Sequence, residues 1–287
     1  MIGTNTMVSP EILIIFFGLA AAATWGAADF SGGFATRRAS VYSVVIITQA
    51  VGLVVLPLLA VYFSEDLPPM SGMFWGVVAG ISGSAGLLLL YHALSKGKMG
   101  VVAPISAVVT VALPVVYGSI NEGLPAGYQI AGFVLAIGAM WLISNTGEKG
   151  EIKKQDVVYP LLAGVGFGIF YISVDLFSES AVFWPLTIAK VSSIVMILGF
   201  ALLRKSASLP SKSVLPVIIL AGIFDASGNL FFALASQVGR LDIATVMASL
   251  YPGSTVLLAW IILKERLSSI QWLGVVLALA AIALIAL

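Results

Sequence analysis

The chain has 287 residues, of which 60% are apolar and only 9% are charged, and its formal net charge is +1. A soluble globular domain carries roughly a quarter charged residues, so this composition excludes that class and predicts a membrane protein. The near-neutral charge gives no reason to expect nucleic acid as a partner. The sequence contains no cysteine, which excludes disulfides and thiolate metal sites, and we expect neither a metal nor a cofactor.

Apolar runs of about 20 residues, the length that crosses a bilayer as a helix, follow one another along the whole chain. They do not alternate as barrel strands do, so we predict an all-α integral membrane protein. No Lys or Arg precedes the first run, which favours a retained helix over a cleaved signal peptide. We predict ten transmembrane helices, at about 12–34, 41–63, 72–95, 101–120, 126–144, 157–177, 183–203, 214–236, 242–262 and 270–287.

The longest polar interruption, residues 145–156, separates two halves of similar character, 1–144 and 157–287. Trp25-Gly26 in the first span and Phe167-Gly168 in the sixth stand at almost the same separation as Glu122 and Glu265, which close the fourth and ninth spans. Each repeat has five spans, which is an odd number of membrane crossings. The second copy therefore has the opposite orientation in the membrane. The sequence therefore predicts two inverted five-helix repeats, an architecture common among transporters, with the ligand site between the repeats.

The basic residues predict the orientation in the membrane. All but two of the 14 Lys and Arg lie in the loops after spans one, three, five, seven and nine; the exceptions are Lys190, inside a span, and Arg240. Basic loops stay in the cytoplasm, so we predict that the odd-numbered loops are cytoplasmic, that both termini face out, and that the protein lies in the cell (plasma) membrane.

Several passages together resemble the drug/metabolite transporter superfamily, in its EamA branch. They are Thr24-Trp-Gly26, Ala93-Leu-Ser-Lys-Gly97 followed by Val102-Ala-Pro-Ile-Ser106, and Ser249-Leu-Tyr-Pro252 leading to Leu263-Lys-Glu-Arg-Leu267. The resemblance covers both halves. It implies ten helices in two inverted repeats, a central cavity lined mainly by spans 1, 3, 4, 6, 8 and 9, and secondary transport of a small metabolite, often export.

Ionisable side chains inside a span are costly and are candidates for function. Asp225 lies at the middle of span eight with Asn229 one turn on, and Asp29 shares a face of span one with Trp25. We interpret these as cavity residues that bind a proton or a cationic group. A network of hydrogen bonds between helices, or pairing of Asp29 with a basic neighbour, is the alternative.

The remaining candidate residues also have both a functional and a structural interpretation. Lys190 either pairs with Asp225 or meets a substrate carboxylate. Asp175 shares a face of span six with Tyr171 but lies near its end, and both His92 and Tyr91 lie where an interfacial residue needs no special role. Pro114 and Pro252 free backbone carbonyls and could permit gating, and three hydroxyl residues and one aromatic residue near them are candidate cavity residues: Ser106, Thr110, Ser249 and Tyr251.

The sequence thus predicts a transporter that works by alternating access, with proton coupling as an option. Its expected partners are a small-molecule substrate, with amino acids as the leading class, and the lipid bilayer; monomer and homodimer both stay open. A non-transporting receptor or structural protein is the alternative. An intramembrane serine protease is disfavoured: the pattern Gly80-Ile-Ser-Gly83 is present, but the sole histidine lies about 15 Å further along the same helix.

Overall fold

The computed structural model describes residues 9–36, 38–96, 99–144, 155–204, 210–263 and 268–285. All regular secondary structure in these ranges is helical. The eleven helices are α1 (Pro10–Thr36), α2 (Val41–Tyr62), α3 (Met70–Lys96), α4 (Met99–Asn121), α5 (Gly127–Ser144), α6 (Gln155–Ser178), α7 (Phe183–Arg204), α8 (Leu215–Val238), α9 (Leu241–Ala248), α10 (Tyr251–Leu263) and α11 (Ser269–Ile285).

Six of these helices, α1, α2, α3, α6, α7 and α8, contain stretches long and apolar enough to cross a membrane, counted over the described residues. Shorter apolar stretches occupy Val108–Asn121, Gly127–Leu142 and Ser269–Ala281. Large apolar side chains cover the outside of the bundle; Val54, Leu58 and Leu202 are each more than 60% exposed. Such a surface suits lipid rather than water, so the prediction of an all-helical, multi-pass membrane protein is confirmed.

The predicted ninth span is not one continuous helix. Helix α9 ends at Ala248 and α10 begins at Tyr251. Pro252 stands at the second position of α10 and has no N–H, so it cannot donate the helical hydrogen bond to the Ala248 carbonyl. The Leu250 N–H donates to the Met247 carbonyl at 3.3 Å, which is three residues back and not four as in an α-helix. The predicted span over 242–262 therefore consists of two helices, interrupted at 249–250 just before Pro252.

Close approach of helix backbones holds the bundle together. Helix α1 packs along α8, α3 along α6 and α7, α2 faces α7, and α5 packs against α11. A Cβ added at Gly76 would lie 2.7 Å from the Pro185 carbonyl oxygen, and one added at Gly164 would lie 2.7 Å from the Ser106 carbonyl oxygen. The glycine pairs spaced by four, 76 with 80 and 164 with 168, form the close contact between helices that such spacing favours.

Two polar links tie the loops at one end of the bundle, which we call the tied end. In the first, Glu65, between α2 and α3, caps the N-terminus of α7. One carboxylate oxygen accepts the N–H groups of Val182 at 2.7 Å and Phe183 at 3.0 Å, and the other accepts that of Trp184 at 2.8 Å. A carboxylate here satisfies N–H groups that have no partner within the helix.

The second link is Arg240, between α8 and α9. Its guanidinium donates to both carboxylate oxygens of the fully buried Asp242, at 2.8 and 3.1 Å, and to the Gly123 carbonyl at 2.8 Å. The Asp242 partner raises the Arg240 pKa further. Partial burial raises the pKa of the adjacent Glu122 carboxyl, although the Leu241 N–H that this carboxyl accepts opposes the shift. Arg240 thus joins the α4–α5 loop to the α8–α9 loop.

Candidate functional site

A cavity of about 110 Å³ lies at the centre of the bundle, with walls contributed by α1–α4, α6–α8 and α10. That volume has room for several water molecules. The lining combines aromatic rings with a few charged and amide side chains, which is the usual composition of a small-molecule site.

The charged centre of the cavity is an ion pair between α7 and α8. The Lys190 ammonium lies 2.5 Å from an Asp225 carboxylate oxygen; the lysine side chain is 4% exposed and the aspartate side chain 20%. A Cβ added at Gly52 of α2 would lie 2.8 Å from Lys190 Cε, so this glycine makes room for the lysine stem. Of the two alternatives for Lys190, pairing with Asp225 is the arrangement observed.

A second carboxylate, Asp29 of α1, lines the same cavity. It has no hydrogen-bond or ion-pair partner among the residues that the structure describes. The described lining therefore carries two carboxylates and one ammonium group. Because Asp225 is neutralised by its lysine, Asp29 is the carboxylate left available for a proton or a cationic group.

An aromatic wall on α1 and α6 faces these groups. The Trp25 indole N–H donates to the Asn229 side-chain oxygen at 3.0 Å, and the Trp25 ring stacks on Tyr171 with centroids 5.4 Å apart and planes 8° from parallel. Tyr171 in turn packs on Phe232 at 4.3 Å. A Cβ added at Gly228 of α8 would collide with the indole, so the glycine lets α1 and α8 approach with the ring between them. The indole is held in one orientation.

The other sequence candidates separate into four groups. Thr110 and Tyr251 line the cavity. Ser106 and Ser249 are fully buried outside the lining, and Pro114 is buried within the unbroken α4. Asp175 lies away from the cavity, in electrostatic contact with Glu122 and Glu179 toward the tied end. The side chains of Tyr91, His92 and Pro252 lie outside the described residues.

The lining also includes residues that are absent from the sequence candidates, and two of them are buried polar residues of α2 and α7. Gln49 of α2 and Ser193 of α7 are almost fully buried, and Gln49 Oε1 and Ser193 Oγ have no hydrogen-bond partner in the part of the chain that the structure describes. The resemblance implied a cavity lined mainly by other spans, whereas α2 and α7 bring Gln49, Lys190 and Ser193 to it. An amide inside a strongly apolar span was the signal that could have found Gln49.

These features define a multi-pass membrane protein with a charged and aromatic cavity at its centre. The profile of the EamA-like transporter family matches residues 12–145 and again residues 157–287. The chain therefore belongs to the EamA-like transporter family. It is a membrane transporter of the drug/metabolite type, and the family is not one of enzymes.

Two further proteins are similar to this chain. An uncharacterized protein of Methanocaldococcus jannaschii, MJ1333.1, is 24% identical over 129 residues, which are 94% of that protein but only 45% of this chain. A solved structure titled "Crystal structure of protein" superposes with a TM-score of 0.79 at 12% identity, covering 96% of this chain and 98% of the other. The second likeness is one of fold alone.

Proposed function

We propose that the protein is a secondary transporter that carries a small metabolite through the central cavity by alternating access, across the plasma membrane. The observation that carries this proposal is the cavity itself, where an ion pair and a second carboxylate lie together inside an apolar bundle. Charged groups are expensive in such surroundings and are usually retained for a substrate or ion pathway.

The proposal includes ten spans in two inverted five-helix repeats, 1–144 and 157–287, joined by the polar connector 145–156. The family profile matches each half, and MJ1333.1 corresponds to about half of this chain. Packing is reciprocal: Gly228 of α8 lies against Trp25 of α1, and Gly86 of α3 lies against Phe167 of α6. This reciprocity supports a two-fold relation in which α1 corresponds to α6 and α3 to α8.

Alternating access requires one end of the cavity to be closed while the other opens. The Glu65 and Arg240 links at the tied end are suited to hold that end closed, and the break before Pro252 gives the second half a point of bending. With odd-numbered loops in the cytoplasm, the tied end would be the outer one.

The cavity chemistry favours a small amphiphile with a cationic group, amino acids being the leading class. Asp29 would take an ammonium group or a coupled proton, and Trp25 and Tyr171 would pack against an apolar side chain. Asn229 and Gln49 would add hydrogen bonds. The size of the cavity fits metabolites rather than large drugs.

Flux in proteoliposomes tests the proposal. Leu87→Trp places a larger side chain into the cavity, whereas Leu198→Trp makes the same change on the outside of α7, where the leucine is 41% exposed. We expect saturable uptake of a metabolite from a pooled panel of amino acids, amines and organic acids, reduced at least tenfold by Leu87→Trp and unchanged by Leu198→Trp. Flux that is equal in both variants, or never saturable, would refute the cavity as the transport route.

The Arg240 link gives a second prediction. Arg240→Gln leaves the fully buried Asp242 without its charged partner, so we expect a loss of about 1–3 kcal/mol in the free energy of unfolding.

In the same variant, Arg240→Gln, we also expect the tied end to open more often. Because the chain has no cysteine, a single Thr110→Cys reports this as faster labelling of the cavity by an impermeant thiol reagent. Lys212→Gln, at an exposed lysine, is the control; equal labelling rates with and without Arg240 would contradict the role of the link.

A further inference from the structure

The two partners of the ion pair differ in exposure: the lysine side chain is enclosed, and the aspartate side chain is the more accessible one. Lys190 is almost fully enclosed, with its stem against Gly52, while the Asp225 side chain keeps a fifth of its surface accessible. Both residues line the cavity. Asp225 therefore occupies the place that a carboxylate from outside would take beside the same ammonium group.

We infer that Lys190 is the binding group for a carboxylate on the transported molecule, and that Asp225 is a built-in competitor which leaves when it takes up a proton. This inference rests on the proposed transport function and narrows its substrate to carboxylate-bearing metabolites. Asp225 then takes up one proton for each substrate carboxylate that binds to Lys190.

The exchange balances in charge and in protons. Before it, the Lys190 ammonium faces the Asp225 carboxylate, and the pair is neutral. A proton from solvent converts Asp225 to a carboxylic acid, which has no charge to hold the lysine. The substrate carboxylate then pairs with Lys190, so the site is neutral again. Opening the pair without a replacement anion would leave the enclosed ammonium unpaired, which is costly, so proton uptake and carboxylate binding favour each other.

Other titratable groups face the same cavity and must be separated from Asp225 in a test. They are Asp29 on α1, Tyr171 on α6 and Tyr251 on α10; α2, α3 and α4 contribute the uncharged Gln49, Ser84 and Thr110 to the described lining. The ion pair does not include Asp29. Asp66→Asn, at an exposed carboxylate between α2 and α3 and outside the lining, is the matched control, whereas Asp29→Asn shows which cavity carboxylate takes the proton.

Acetate, with acetamide as its uncharged counterpart, probes the lysine without knowledge of the substrate. We would measure thermal unfolding of the detergent-solubilised protein over a range of acetate concentrations, at neutral and at mildly acidic pH. In the wild type we expect acetate to stabilise the protein with an apparent Kd at least tenfold lower at acidic pH, with a proton taken up for each acetate bound. Acetamide should have no effect at either pH.

The variants separate exchange from a purely structural ion pair. Asp225→Asn should bind acetate equally well at both pH values, Asp66→Asn should keep the wild-type pH dependence, and the double variant Lys190→Gln with Asp225→Asn should bind none. A pH dependence that is lost in Asp29→Asn and kept in Asp225→Asn would assign the proton to Asp29 and overturn the inference. Should Asp225→Asn fail to fold, the wild type and the double variant still decide the matter. Acetate binding to Asp225→Asn but to the wild type at neither pH would show a locked structural pair and overturn the inference, as would identical stabilisation of the wild type and the double variant.

The outcome is independent of the flux assay. Leu87→Trp tests whether the cavity carries substrate, whereas acetate binding concerns only the lysine and its competitor. Saturable flux with no acetate exchange would leave the transporter standing and remove the carboxylate site. Exchange without flux would keep the binding site and remove transport.

Discussion

Replacing Lys190 by methionine should destabilise the folded protein by roughly 3–5 kcal/mol, because it leaves the Asp225 carboxylate without its partner in a mostly enclosed site. The double variant Lys190→Met with Asp225→Asn should recover most of that loss, since no charge is then left unpaired. The measurement is the midpoint of thermal unfolding in detergent, compared at one pH for the wild type, the two single variants and the double variant.

Lys212→Met is the matched control, because that lysine is exposed in the turn before α8 and should change stability by no more than about 0.5 kcal/mol. If the double variant were as unstable as Lys190→Met alone, the loss would come from the packing of the lysine stem against Gly52 and not from the unpaired carboxylate.

Gly80→Ala should have the second largest effect, a destabilisation of about 1–3 kcal/mol or more. The added Cβ would overlap the Ala189 carbonyl oxygen and the Ser192 hydroxyl of α7. A backbone atom cannot move aside as a flexible side chain can, so α3 and α7 would have to separate. Because Gly80 and Ala189 both line the cavity, that separation should also reduce flux.

Gly138→Ala on α5 makes the same chemical change where no atom lies within 4 Å of the added Cβ. It should stabilise the helix by up to about 1 kcal/mol, since alanine has the higher helix propensity. Equal unfolding midpoints for the two alanine variants would show that the α3–α7 contact is looser than the structure describes.

Much of the fold could be predicted from local pattern. Runs of about 20 apolar residues identify membrane helices without any tertiary information, because the bilayer itself sets their length. Glycines spaced by four, as at Gly76 and Gly80, favour close helix contact, and both of these lie against the backbone of α7. The break at 249–250 was beyond this reasoning: Pro252 indicated a disturbed helix, but a kink and a complete interruption have the same sequence signature.

The candidate site was predictable in part for a similar reason. Asp29 and Asp225 stand out because charge is rare inside an apolar span, and both line the cavity. Asp175 carries the same signal yet lies toward the tied end, and Gln49 carries a weaker one yet lines the cavity. Cost of burial indicates that a polar side chain needs a partner; it does not indicate which partner.

By itself the sequence determined that the protein is helical, lies in a membrane, belongs to a transporter family and places charge inside its spans. The helices, the membrane location and the buried charge follow from composition and run length, because the bilayer sets the length of a spanning helix. The family follows from the resemblance of particular motifs. Only the tertiary structure decided that Lys190 meets Asp225, that α2 and α7 reach the cavity, and that Arg240 joins two distant loops. Those contacts depend on how each helix is rotated about its axis, and that rotation is set by packing between segments far apart in the chain.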